Sequence, residues 1–192
     1  MSIQKNKSHN LPPLQRRIIL HLAKTRPQTI NKIAINISRG YKSTWRAFNS
    51  LKDKRIVEKT DVKHYHGIDY PQFWLTERGV IEALIEEVSS DVLLENTKEI
   101  YPKNYILQCL LEIAQKLSLD MIMIGQSAIR STGKIGVIDL AKMLFYGVQT
   151  DFTIETYSEI LEILKKYPDI YELMKEQIER MSNILDKLKE II

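Results

Sequence analysis

Apolar positions recur at helical spacing from the start of the chain's patterned region. In LQRRIILHLAKT, Leu14, Ile18, Ile19, Leu22 and Ala23 mostly share one face behind Pro12 and Pro13, which predicts a first helix ending near Pro27. Thr29 is placed to cap a short second helix in which Ile30, Ile33, Ala34 and Ile37 repeat the period. Ser38, Arg39 and Gly40 interrupt it, and Gly40 is expected to supply the left-handed backbone of a tight turn. A third helix follows from Tyr41, with Trp45, Phe48 and Leu51 as its expected buried side and Lys42, Ser43, Arg46, Asn49 and Ser50 on the others.

The period then changes. Residues 55–62 and 70–76 are short, rich in β-branched or aromatic side chains, and separated by a segment holding Gly67, so they predict two antiparallel strands joined by a loop. Thr76 caps a fourth helix whose apolar content is Val80, Ile81, Ala83, Leu84 and Ile85. Beyond Val88 only helical patterns remain, at 91–100, 103–117, 119–130, 136–146, 153–166 and 169–191. In the last of these, Met174, Ile178, Met181, Leu185, Leu188 and Ile192 alternate at spacings of four and three, a seam able to pack on a partner helix or within its own domain. The expected class is therefore mostly α with a small β-hairpin.

Charge divides the chain in the same place. Residues 1–80 hold sixteen Lys and Arg against five Asp and Glu, whereas the remainder holds twelve against nineteen. A basic half joined to an acidic half is the asymmetry expected when one part meets a polyanion. Met1–Asn10 is polar and basic with no apolar run behind it, which predicts neither signal peptide nor anchor and a cytoplasmic location. The single cysteine, Cys109, lies among Ile106, Leu110, Leu111 and Ile113 and reads as a buried small residue.

Three segments carry a resemblance: TINKIAINI, then SRGYKSTWRAFNSLKDKRIVEK, then the hairpin exit FWLTERGVIEAL with its Leu-Thr-x-x-Gly lead-in to a helix. Residues 13–88 resemble the winged helix-turn-helix superfamily of archaeal and bacterial transcription regulators, MarR-type and related repressors being the nearest general comparison. Arg55 departs from the pattern, standing where many members carry glycine before the first wing strand. The resemblance implies a winged helix-turn-helix DNA-binding domain over 11–88 and leaves 89–192 as an all-helical domain for dimerisation, a partner or an effector. It implies sequence-specific binding of double-stranded DNA by a transcriptional regulator.

A helix that reads a DNA groove must bury one face while presenting polar side chains on another. On the third helix Lys42, Ser43, Thr44, Arg46, Asn49 and Ser50 remain for DNA, with Arg46 suited to guanine and Asn49 to adenine. Lys32, Arg39, Tyr41, Lys42 and Lys52 suit phosphates, and the wing segment Lys63, His64, Tyr65 and His66 suits the backbone or minor groove. Two histidines without a Cys or carboxylate at ligand spacing predict no metal, and no cofactor is expected.

Enzymatic motifs are missing. Residues 125–134, GQSAIRSTGK, superficially resemble a phosphate loop, but seven residues separate the glycines and Ile135 stands where Ser or Thr should bind magnesium, so a helix-ending turn is expected. A symmetric homodimer is expected, because it doubles the DNA contacts. Two other classes stay open: a winged-helix protein-interaction module in a larger nucleic-acid-processing assembly, and small-ligand sensing near Met121, Met123, Met143 and Tyr146.

Overall fold

The computed structural model describes residues 11–117, 122–123, 126–127, 129, 133–150 and 153–191, with backbone alone at 148–150 and 185–191. Pro13 opens α1 (Pro13–Ala23), where a missing N–H costs nothing, and Ile18, Ile19, Leu22 and Ala23 are buried. The Thr29 hydroxyl accepts from the Lys32 N–H at 3.2 Å and starts α2 (Ile30–Asn36). α3 (Tyr41–Asp53) follows, then β1 (Val57–Tyr65), β2 (Ile68–Leu75) and α4 (Glu77–Ile85). Thr76 caps α4 by accepting from the Gly79 N–H at 3.1 Å, as the sequence predicts.

Three of these helices end in the same way. After α2, Ser38 N–H donates to Ile35 O and Arg39 N–H to Ala34 O, each at 3.0 Å. After α3, Arg55 N–H donates to Lys52 O and Ile56 N–H to Leu51 O; after α4, Glu87 N–H donates to Leu84 O and Val88 N–H to Ala83 O. These paired bonds satisfy the last helical carbonyls and require one left-handed residue. That residue is Ser38 (φ 51°), Arg55 (φ 55°) or Glu87 (φ 64°), and none is glycine. The expectation for Gly40 is thus corrected: it precedes α3 with φ −64°, and Ser38 makes the left-handed turn. Arg55 holds the conformation that glycine adopts without strain.

The hairpin is longer than the sequence suggests. β1 and β2 pair antiparallel from Val57↔Leu75 to Tyr65↔Ile68, leaving His66 (φ 49°) and Gly67 (φ 76°) as a two-residue turn. Two successive positive φ angles match the right-handed strand twist, so pairing continues to the tip. Lys63, His64 and Tyr65 therefore belong to a strand rather than to a loop. Thr60 is the extra residue of a bulge between Lys59 and Asp61. At the base, Gln28 and Phe73 exchange backbone hydrogen bonds of 3.1 and 2.9 Å. The Trp74 indole N–H donates to Leu22 O at 2.7 Å and Thr25 O at 3.0 Å, fixing the end of α1 to the sheet.

Among the described residues the second part of the chain is mostly helical and holds no strand: α5 (Ser90–Ile100), α6 (Tyr105–Ile113) with a 3-10 turn at Ala114–Lys116, α7 (Val137–Thr150), α8 (Ile154–Leu164) and α9 (Pro168–Ile191). The expected helix at 119–130 lies largely outside the described residues. α6 is the central element, burying Leu107, Cys109, Leu110, Leu111 and Ile113. Burial, with the nearby Glu112 carboxylate, pushes the Cys109 thiol up to about 12. The apolar core runs without a break from Ile18 to Met174. Among the described residues no helix is long and apolar enough to cross a membrane.

Polar contacts join the two parts. Asn96 Nδ2 donates to Ala23 O at 3.1 Å, and Arg26 of the first part pairs with Glu99. The Tyr101 hydroxyl donates to Glu58 Oε1 at 2.6 Å and Leu75 O at 2.8 Å. Burial first, and the Glu58 carboxylate second, push the Tyr101 phenol far above its ordinary range, so it stays a donor.

Candidate nucleic-acid interface

α3 is anchored by Thr44, Phe48 and Leu51, and the Phe48 ring meets Phe73 of β2 edge-on at 4.9 Å between centroids. Spacings of four and three keep these residues on one face, whereas three successive steps of three drift around the helix. This corrects the sequence expectation at two positions. Trp45 is 45% exposed and does not anchor the helix, and Thr44 is fully buried with its hydroxyl donating to Gly40 O at 3.1 Å. Thr44 is therefore unavailable to any external partner.

Lys42 and Arg46 stand one turn apart on the exposed face opposite that anchor, with Asn49 half-buried a turn further on. Ser43 is exposed, but its hydroxyl donates to Gly40 O at 2.8 Å. Ser50 is half-buried and accepts from Gln15 Nε2 at 2.9 Å, so it faces α1 rather than the exterior. Lys32 on α2 and Arg39 in the turn are exposed beside this surface, as is Tyr41 at the start of α3. Lys52 is exposed at the far end of α3, about 15 Å along the axis from Lys42, where it lines a separate cleft.

The ion-pair pattern separates this surface from the rest. Arg16, Arg26, Lys98, Lys116, Lys165, Lys166 and Arg180 are all paired with glutamates. Lys32, Arg39, Lys42 and Arg46 make no ion pair or side-chain hydrogen bond among the described residues. An exposed surface with unneutralised charge of one sign attracts a counter-charged partner over a Debye length.

The hairpin tip reaches roughly 25 Å from its base. Lys63, His64, Tyr65 and His66 are all exposed there. His64 Nδ1 lies 2.5 Å from Asp69 Oδ1 across the strands, and the Tyr65 and His66 rings meet edge-on at 4.1 Å. Being in a strand, His64 is held by its cross-strand carboxylate, and among the described residues no group of three or more possible ligands gathers for a metal. Sequence reasoning overlooked Ile68 and Tyr70, which are exposed beside Tyr65. Their alternation with Asp69 across a two-residue turn was the available signal.

The residues near which small-ligand sensing stayed open divide between core and surface where they are described. Met143 is fully buried core, Met123 is half-buried, Tyr146 is exposed, and Met121 lies outside the described residues. A cavity of about 230 Å³ opens instead between α7, α8 and α9, against Leu144, Tyr157, Leu161, Tyr171, Met174 and Ile178. Met174, Ile178 and Met181 of the heptad-like seam pack on the chain's own core, while the side chains of Leu185 and Leu188, with Ile192, lie outside those described. No family model, curated protein or solved structure significantly matches this chain.

Proposed function

We propose that this chain is a non-enzymatic, sequence-specific double-stranded DNA-binding protein, a cytoplasmic transcriptional regulator acting as a homodimer, with residues 11–88 as a winged helix-turn-helix. The observation that carries the reading is the cationic face of α3 and its flanks: Lys32, Arg39, Lys42 and Arg46 are exposed with no acid to neutralise them among the described residues. The order of three helices, a long exposed hairpin and a fourth helix supports it. In this reading Arg46 addresses a base edge, Lys32, Arg39 and Lys42 meet phosphates, and the hairpin tip lies along the backbone or minor groove.

The test is a fluorescence-anisotropy titration on mixed-sequence duplex DNA at several salt concentrations. Three phosphate-neutralising cations, Lys32, Arg39 and Lys42, give a slope of about −2.7 in log affinity against log salt, or about 40-fold weaker binding between 50 and 200 mM. A Lys42→Ala/Arg46→Ala variant with an unchanged melt should flatten that slope by about 0.9, through the lost Lys42 phosphate contact, and weaken binding further through the lost Arg46 base contact. A salt-independent affinity, or one the variant leaves untouched, removes the reading. Sedimentation that finds only monomer, with and without DNA, removes the dimer alone.

One observation favours a second function, a protein-interaction module within a larger nucleic-acid-processing assembly. Trp45, Tyr41 and Ile35 are 45%, 54% and 67% exposed beside the cations. Aromatic side chains of this kind are enriched where proteins meet proteins. Under that function Trp45→Ala abolishes partner binding and duplex DNA does not bind even at low salt.

A further inference from the structure

A cleft lies between the end of α3, the base of β1 and the turn at Gly133 and Lys134. It is open, holds about 380 Å³, and is lined by the cations Lys52, Arg55, Lys59 and Lys134 and by the carboxylates Glu58 and Glu77. The carboxylates are engaged by neutral donors from the helical part. Glu58 accepts from the Tyr101 hydroxyl at 2.6 Å, and Glu77 accepts from Asn104 Nδ2 at 2.8 Å and from the Ile135 N–H at 2.9 Å. Lys52, Arg55 and Lys59 make no ion pair or side-chain hydrogen bond among the described residues, although both acids line the same cleft.

Three cations without an ion pair among the described residues, beside two carboxylates already held by neutral donors, leave a site suited to an anion. Arg55 extends across the opening, its Nη1 3.7 Å from where a Cβ on Gly133 would stand. A guanidinium with flanking ammonium groups matches the charge and the several acceptor oxygens of a phosphate better than a single carboxylate. The volume exceeds that of an isolated phosphate and lies in the range of small-molecule sites.

We propose that this cleft binds a small ligand bearing a phosphate or diphosphate group, held by Arg55 and Lys59 with Lys52 beside them. Such a ligand lies beside the hydrogen bonds that already join the basic and helical parts. The proposal does not rest on DNA binding, because it is tested with no DNA present.

The experiment is isothermal titration calorimetry of the full chain with inorganic pyrophosphate and with ADP, free of magnesium. Saturable binding is expected for at least one of the two, weakened roughly tenfold to a hundredfold in Arg55→Gln/Lys59→Gln and unchanged in Arg17→Gln, which removes an exposed charge on α1. A thermal melt verifies each fold, and Lys59→Gln alone serves if the double variant is unstable. Failure of both probes to bind the wild-type chain, or equal binding by the folded variants, overturns the proposal. If the probes do not bind but duplex DNA affinity falls in the double variant, the cations contact the DNA backbone and the free-ligand site is refuted.

Discussion

Gly79→Ala concentrates the consequences of the fold in one methyl group. A Cβ on Gly79 would stand 2.1 Å from the Ile56 carbonyl oxygen, 3.2 Å from its carbon and 3.0 Å from Leu75 Cβ. The obstacle is backbone, and Ile56 O is pinned by a 3.0 Å hydrogen bond from the Thr76 N–H. Relief requires α4 to move outward by about 1 Å, loosening that bond, the Thr76 cap and the packing of Val80 and Ile81 in a close-packed interior. Replacing a helical glycine by alanine contributes up to about 1 kcal/mol in favour of folding. Overpacking costs about 1–3 kcal/mol, and weakened hydrogen bonds add about 1 kcal/mol each. The net expectation is a loss of about 2 kcal/mol, which for a chain of this length lowers Tm by about 4–8 °C. Circular-dichroism melts and urea titrations measure it. A Gly79→Ala protein as stable as the wild type, or more so, would falsify the close approach of α4 to the Ile56 carbonyl.

Glu87 is left-handed in the turn after α4, so Glu87→Gly is expected to stabilise the chain by about 1 kcal/mol, read as a raised urea midpoint at unchanged m; a lower midpoint contradicts the turn geometry. Phe48→Ala should cost about 3–5 kcal/mol, whereas Trp45→Ala should cost about 1 kcal/mol or less because Trp45 is 45% exposed; equal losses in melts would restore Trp45 as an anchor. Partial burial raises the Glu112 carboxyl, but hydrogen bonds from Tyr167, Lys166 and Lys98 outweigh it and hold the group below its ordinary value of 4.5. A depressed folded-state value means the contribution is complete above the unfolded value and lost as pH falls through the folded one. Urea unfolding at about pH 6 and about pH 3 should therefore show a smaller acid-induced loss for Glu112→Gln than for the wild type, and identical losses would refute the assignment.

Much of the fold was legible because it is locally encoded. Thr29 and Thr76 cap helices through N–H groups three residues away, and any sequence with a hydroxyl at that point and an apolar period behind it carries the same instruction. The helix order through α6 and from α7 to α9 followed from periodicity alone. Boundaries were less visible: the hairpin was read as two short strands and a loop because Lys63, His64 and His66 lack an apolar alternation, yet the His66–Gly67 turn lets pairing continue between solvent-exposed residues. In the candidate site, Lys42 and Arg46 were legible as outward residues of an amphipathic helix. Thr44 and Ser50 were misread because α3 lies against Phe73 and α1, contacts between segments distant in the chain.

The sequence by itself determined the helical periods, the caps and the excess of basic residues before residue 80, all properties of neighbours within a few positions. Only the tertiary structure decided which face of α3 is buried, and it placed left-handed residues at Ser38, Arg55 and Glu87, where no glycine marks them. It also decided which charges are neutralised: Arg16 and Arg26 meet glutamates about 70 residues away in sequence, Lys42 and Arg46 meet none among the described residues, and Glu58 and Glu77 are drawn to Tyr101 and Asn104. The physical reason is range. Capping and periodicity act over one or two helical turns, whereas burial and ion pairing depend on which distant segment the fold brings alongside.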